Sequence, residues 1–152
     1  MRATRNPWFP GSLVVSSLAL VLAHVGAGGV AGANDPSITI ESGVSLSATE
    51  AAVVARTNDA RAKRGLGPLA ADASLMNGAR RQAAWMARNR SLSHGQGVTE
   101  NIAMGQSSAS GTVADWMRSD GHRANILGSH SRIGVAMARA ADGTVYWCQQ
   151  FR

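Results

Sequence analysis

Ile133-Gly134-Val135-Ala136-Met137-Ala138-Arg139-Ala140-Ala141-Asp142-Gly143-Thr144-Val145-Tyr146-Trp147-Cys148-Gln149-Gln150-Phe151 reads as two strands folded back on each other. Ile133 to Met137 and Thr144 to Phe151 are β-like. Between them Ala140-Ala141-Asp142-Gly143 supplies an Asp-Gly pair, and glycine's freedom to take positive φ makes such a pair a hairpin signal. Trp147 and Gln149 lie one strand period apart, which puts both on the same side of the sheet. The chain therefore closes on antiparallel β-structure, and whatever precedes it must cover that sheet.

What precedes it is helical. Ser47-Ala48-Thr49-Glu50 is a capping box, in which the Ser47 hydroxyl and the Glu50 carboxylate satisfy each other's orphan backbone N–H groups. Val53, Val54, Thr57 and Ala60 follow at helical spacing, and Gly65 with Gly67-Pro68 stops the helix. Asp72 is a second N-cap. Leu75, Ala79, Ala83 and Met86 then recur every three to four residues as an apolar stripe with Trp85 beside it, and Arg88 and Arg90 complement the dipole at the C-terminal end. Asn101 to Met104 is a brief apolar run before a Gly/Ser-rich loop from Gly105 to Gly111. Thr112 to Ser119 reads as a short helix with Val113, Trp116 and Met117 inward. Trp85, Trp116 and Trp147 are assigned to the core for their large apolar area. Helices first and strands later define an α+β domain over residues 47–152, with helices packed on a small antiparallel sheet. Asn34 to Leu46 lacks pattern and is expected to be a loose first segment.

Residues 1–33 read as an address. Arg2 and Arg5 are followed by an apolar stretch from Leu13 to Val25 and a Gly/Ala-rich end, the order of a secretory signal with cleavage after Ala33 or Ala27. The apolar stretch falls short of the roughly 20 residues that span a bilayer, so no stable membrane span is expected after cleavage. The expected location is extracellular or in the cell envelope. The 119 residues from Asn34 to Arg152 suit one domain. The full chain carries 15 Lys and Arg against 9 Asp and Glu, a net charge of +6, and Lys63 is the single lysine. Loss of Arg2 and Arg5 lowers that to +4. Arg80, Arg81, Arg88 and Arg90 are the densest basic group; they read as a solvated helix face without an interleaved aromatic platform. Nucleic acid is therefore not an expected partner, which leaves weak attraction to an anionic envelope surface. Cys148 is the one cysteine, so no internal disulfide braces the domain. In the strand-like Val145-Tyr146-Trp147-Cys148 it is expected to be buried as a small apolar residue, with an intermolecular bridge or a reactive thiol as alternatives.

Three phrases carry candidate chemistry: Ser93-His94, Glu100-Asn101-Ile102-Ala103 and Ser119-Asp120-Gly121-His122-Arg123-Ala124-Asn125-Ile126-Leu127. Two imidazoles and a carboxylate can hold a divalent metal or move protons near neutral pH. Each also has a structural reading. His94 could bond the last carbonyls of the helix before it, His122 could cap the short helix ahead of it, and Glu100 could be a strand-edge charge. Asp120 reads as a cap or exposed acid, Asn101 and Asn125 as hydrogen-bonding scaffold, and His130 as a surface histidine.

In their order along the chain these pieces resemble the CAP superfamily, the cysteine-rich secretory, antigen 5 and pathogenesis-related-1 proteins, and in particular its small bacterial branch with an SCP domain. The resemblance runs from Arg56-Thr57-Asn58-Asp59-Ala60-Arg61 and Gly65-Leu66-Gly67-Pro68-Leu69, through Asp72-Ala73-Ser74-Leu75 and the three phrases above, to Ile133-Gly134-Val135-Ala136 and Tyr146-Trp147-Cys148-Gln149-Gln150-Phe151. It covers roughly residues 50 to 152. It implies an α-β-α sandwich with a cleft holding two histidines and two acids. His94 and His122 match the histidines and Glu100 the first acid. Counted from Trp116, Ser119 stands where eukaryotic members carry the second acid. One carboxylate cannot serve as acid and base at separate points.

Three functions follow as expectations. In the first, His94 and His122 bind a divalent metal such as Zn²⁺, Glu100 orients a small ligand or bound water, and the site is modest in affinity because zinc normally takes a third protein ligand. In the second, the chain is a metal-dependent hydrolase with Glu100 as base, although the sequence holds no Gly-x-Ser-x-Gly elbow and no His-Glu-x-x-His. In the third, which rests on the resemblance alone, the chain carries a lipid or sterol in a separate groove. The expected partners are a small ligand, a lipid or an envelope component, and the sequence sets no oligomeric state.

Overall fold

In the computed structural model, residues 39–41 and 43–152 are described; the expected secretory signal over residues 1–33 lies outside them. Helix α1 spans Ala48–Ala62 and starts with the capping box: the Glu50 N–H donates to Ser47 Oγ (3.3 Å), and the Ser47 N–H to Glu50 Oε2 (2.8 Å). Helix α2 spans Ala73–Asn89, with Asp72 accepting from the Leu75 N–H, and every residue of the expected stripe (Leu75, Ala79, Ala83, Met86) is buried. Helix α3 is Ala109–Arg118 and helix α4 is Asp120–Leu127. The strands are β1 (Thr39–Ile40), β2 (Ala70–Ala71), β3 (Thr99–Met104), β4 (Arg132–Arg139) and β5 (Val145–Phe151).

Among the described residues these five strands form one sheet in the order β1-β2-β4-β5-β3. The β4–β5 hairpin forms as expected, with Gly143 at φ 88°. The sheet is mixed, however: β3, β5 and β4 are antiparallel, while β1, β2 and β4 run parallel. Thr39–Ile40 therefore belongs to the sheet and not to a loose leader, because its partner Ala70–Ala71 is itself held on β4. All seven residues of β5 are buried, since α2 covers one face of the sheet while α1, α3 and α4 cover the other. The result is an α-β-α sandwich.

Small residues let α2 sit close. Ala79 and Ala83, both fully buried, meet a sheet face that offers Ala136, Tyr146 and Cys148. At Gly134 a Cβ would stand 2.0 Å from the Leu75 carbonyl carbon. On the opposite face Val53, Val54, Trp116, Ile126, Ile133, Val135, Trp147 and Phe151 make the larger cluster. Trp116 and Trp147 are core as expected, and their indole N–H groups donate to the Ile102 carbonyl (3.2 Å) and the Gln106 carbonyl (2.9 Å). Trp85 is not: it is 41% exposed, because it lies beside the buried stripe of α2 and not within it.

Arg61 ties the layers together at one end. Its guanidinium is buried and donates to four carbonyls, those of Gly67 (2.8 Å), Ile126 (2.8 Å), Gly128 (2.9 Å) and His130 (3.3 Å). His130 is half-buried and stacks on Phe151, with ring centroids 5.3 Å apart, so it is not the free surface histidine expected from sequence.

Candidate functional site

The site lies at the β3 edge of the sheet, where both helical layers can reach it. Helix α2 ends with Arg90 in the left-handed region (φ 49°), its N–H on the Met86 carbonyl. The turn releases a loop that carries His94, and Gln82 Nε2 of α2 holds the loop by the Ser93 carbonyl (2.6 Å). Strand β3 then supplies Glu100, which pairs with Gln150 of β5. From the other layer, α4 brings His122 in its first turn.

Glu100 is no ordinary strand-edge charge. It is 4% exposed, and both oxygens are committed. Oε1 accepts the Gly95 N–H (2.5 Å) and faces His94 Nδ1 (3.1 Å); Oε2 accepts Gln150 Nε2 (3.1 Å) and lies 3.5 Å from Cys148 Sγ. These contacts fix one imidazole edge, while the His94 side chain stays 59% exposed. Cys148 is buried as expected, and burial, then the neighbouring Glu100 charge, pushes its thiol well above the ordinary cysteine range. That makes it a poor nucleophile.

Asn101, next along β3, points to the opposite layer and organises α4. Its Nδ2 donates to the His122 carbonyl (3.0 Å) and to Gln149 Oε1 (3.2 Å). Asn125 Nδ2 donates to Asn101 Oδ1 (2.9 Å) and to the Glu100 carbonyl (3.3 Å). Gln149 Nε2 continues the chain to Thr57 Oγ1 (2.7 Å), whose hydroxyl donates to the Val53 carbonyl (2.8 Å). Asn101 and Asn125 are therefore scaffold, as the sequence suggested. Thr57, Gln149, Gln150 and Cys148 were not singled out for this role. The available signal was polar residues at positions whose spacing assigns them to the core.

Of the four candidate residues, Glu100 and His94 are in contact, and His122 lies close enough for the charge of His94 to act on it. Ser119 is the junction between α3 and α4, serving as C-cap of one and N-cap of the other. Its N–H reaches the Asp115 and Trp116 carbonyls, and its side chain makes no capping bond. No described hydrogen bond links its hydroxyl to His94, Glu100 or His122. Among the described residues no three His, Cys, Asp or Glu side chains converge in a geometry that could hold a metal ion. The donor set on offer is thus two imidazoles, with Glu100 behind one of them. That is one short of the three protein ligands that even an open zinc site normally has.

Burial, then the nearby His94, lowers the His122 pKa below 6.5; burial, then the Arg61 guanidinium, lowers that of His130. The unfolded chain therefore takes up protons at these positions before the folded chain does. The share of stability that these two groups contribute is fully present above about pH 6.5 and is lost as pH falls below it, until the folded-state values are passed. Melting curves at pH 7.5, 6.5 and 5.5 should show Tm falling over the lower interval more than the upper, and His130→Phe should flatten the slope. A Tm that rises on acidification contradicts the sign.

An α-β-α sandwich with one carboxylate clamped behind a histidine at a sheet edge, and a second histidine in the first turn of a short helix tied to the same strand by Asn101, is the arrangement to compare with known proteins. The chain matches the cysteine-rich secretory protein family, CAP, over residues 54–151, and it belongs to that family. The Bacillus subtilis protein YkwD is 35% identical over 126 residues, 70% of this chain and 48% of that one, so the chain spans about half the length of this relative. Among solved structures, an outer surface protein from Borrelia burgdorferi aligns with a TM-score of 0.60 at 19% identity, over 65% of this chain and 87% of that one. An extracellular protein containing an SCP domain from Bacillus anthracis aligns with a TM-score of 0.58 at 24% identity, over 68% of this chain and 40% of that one. At these identities the likeness is one of fold. No described helix is long and apolar enough to cross a membrane.

Proposed function

We propose that the chain is an exported CAP-domain binding protein in which His94 and His122 hold a divalent metal such as Zn²⁺ and a small ligand completes the site. The contact that carries this reading is Glu100 Oε1 against His94 Nδ1 at 3.1 Å. A carboxylate behind one ring nitrogen fixes the tautomer and turns the other nitrogen toward a ligand, the usual outer partner of a metal-binding histidine. The four donors around Glu100 support a positioning role. With both oxygens committed and the carboxylate buried, it has no free lone pair to take a proton from a substrate water, the step that the hydrolase alternative requires of it. The depressed pKa of His122 keeps that ring neutral, and so able to ligate, at and above neutral pH. Export rests on the basic, apolar and small-residue order of residues 1–33. It is in keeping with the extracellular and outer-surface relatives.

Isothermal titration with Zn²⁺ tests the reading. The protein should show saturable heat at about one ion per chain, with an affinity weaker than structural zinc sites because two protein ligands are fewer than the usual three or four. His94→Ala with His122→Ala should abolish that heat without lowering Tm. Equal heats from both proteins rule the site out. Glu100→Gln should weaken the affinity by about tenfold, the scale of losing an outer-shell partner.

A further inference from the structure

A second feature lies on the other side of Glu100, along α2. A groove of about 730 Å³ runs between this helix and the loop that carries Gly95, Gln96 and Val98. Gly78, Arg81, Trp85 and Arg88 follow one another at spacings of three, four and three residues, so they share one helix face along the groove. From the sequence, these arginines belong to the densest basic group and form a solvated helix face without an interleaved aromatic platform. Both arginines are exposed, as that reading has it, but Trp85 is exposed too and stands between Arg81 and Arg88.

The chemistry of the lining is specific. Arg81 and Arg88 are exposed and enter no ion pair among the described residues, whereas their neighbour Arg80 is bound by Glu50 (2.7 Å). No acidic side chain lines the groove. Gln96 contributes an exposed amide and Gln82 a half-buried one whose nitrogen also holds the Ser93 carbonyl. Amides hydrogen-bond hydroxyl groups through both donor and acceptor atoms. Gln150, at the groove floor, is buried with its nitrogen on Glu100. Arg81 and Arg88 stand about 10 Å apart along the helix axis, from its rise per residue, wider than a single sugar ring.

We infer that this groove is a binding site for an acidic glycan. One sugar ring packs its C–H face on Trp85, its carboxylate or phosphate groups pair with Arg81 and Arg88, and the Gln82 and Gln96 amides take its hydroxyls. Planar guanidinium groups suit both anions, since they can bond two oxygens at once. A single-stranded nucleic acid fits less well, because one exposed indole offers no platform for a second base. An acyl chain would have to lie against guanidinium and amide groups. The inference stands apart from the metal reading, although Gly95 belongs to both: it lines the groove and donates its N–H to Glu100.

Binding is measured by fluorescence of the protein and by calorimetry, at two salt concentrations. The probes are a galacturonic acid hexamer, its carboxyl-reduced neutral counterpart, a phosphorylated dextran oligomer and a thymidine hexanucleotide. The hexamer or the phosphorylated oligomer should bind and perturb Trp85 emission, and the tighter of the two names the acid group. The neutral sugar should bind at least about tenfold more weakly. Arg81→Gln with Arg88→Gln should cost about tenfold or more, the scale of two charge-assisted pairs. Trp85→Ala should weaken binding at both salt concentrations, and glycan binding should be the same with added Zn²⁺ as with chelator, which separates this outcome from failure of the metal site. Circular dichroism of each variant confirms the fold. The inference is overturned if neither acidic glycan binds, if Trp85→Ala binds as the parent does, or if the hexanucleotide binds more tightly than both glycans.

Discussion

Gly134→Ala should destabilise the domain by about 3 kcal/mol or more, at the upper end of what overpacking costs, and should prevent accumulation of folded protein at 37 °C. A methyl group there would lie 2.0 Å from the Leu75 carbonyl carbon, 2.2 Å from its oxygen and 2.5 Å from the Met76 nitrogen. These are backbone atoms in the first turn of α2, so no rotamer change relieves the clash. The helix would have to lift from β4, and it would carry with it the contacts of Ala79 and Ala83 on the sheet. Gly121→Ala is the control with the opposite sign. It lies in α4, a Cβ there meets nothing within 4 Å, and alanine should gain about 0.5–1 kcal/mol through helix propensity. Urea denaturation of both variants tests the pair; a Gly134→Ala protein within 1 kcal/mol of the parent would falsify the close packing described here.

Arg61→Met should produce the second large loss, about 3 kcal/mol. Each buried carbonyl left without its donor costs about 1–3 kcal/mol, and water can reach some of the four once the side chain is removed. Burial lowers the pKa of this arginine, yet a guanidinium at neutral pH stays charged, and the carbonyl dipoles compensate that charge, since no carboxylate among the described residues pairs with it. Arg61→Lys should recover less than half of the loss, because a single ammonium cannot reproduce the planar fork that reaches Gly67, Ile126, Gly128 and His130 together. The His122 ring resonance should also move in both variants, since the guanidinium holds the C-terminal end of the helix that carries it. Unchanged urea midpoints for Arg61→Met would remove this residue from the account of stability.

The elements legible in the sequence were those whose signals are local. The Ser47–Glu50 capping box, the Asp72 cap, the stripe of α2 and the Asp-Gly hairpin all appear where local chemistry placed them. Helix α4 was not foreseen because Asp120-Gly121 breaks the apolar period and Ile126 is its one fully buried side chain. Strands β1 and β2 are two residues each, too short for any alternation, and exist only because β4 offers an edge for parallel pairing. At the site, His94, Glu100 and His122 could be named because their residue types are unusual in those phrases. Their roles could not be read: nothing in the sequence says that Glu100 is enclosed by Gly95, from the loop just before it, and by Gln150 and Cys148, from a strand remote from it in the chain. Trp85 was misplaced for a related reason. Helical spacing separates a buried stripe from its flank by one position, and an indole on the flank looks like core until the sheet beneath is known.

One consequence concerns assembly. The outward carbonyls of Glu100 and Ile102 on β3 already accept hydrogen bonds from Asn125 Nδ2 and Trp116 Nε1, both supplied by the covering helices. A bare strand edge is a template on which a foreign strand can polymerise. Here the template is occupied from within the molecule by an indole and a carboxamide, and displacing them would open the core around Trp116 and the Asn101 network. Growth of the sheet from one copy of the chain into the next would have to displace both groups on this side, which favours recognition by side chains over strand addition for a partner that approaches the histidines.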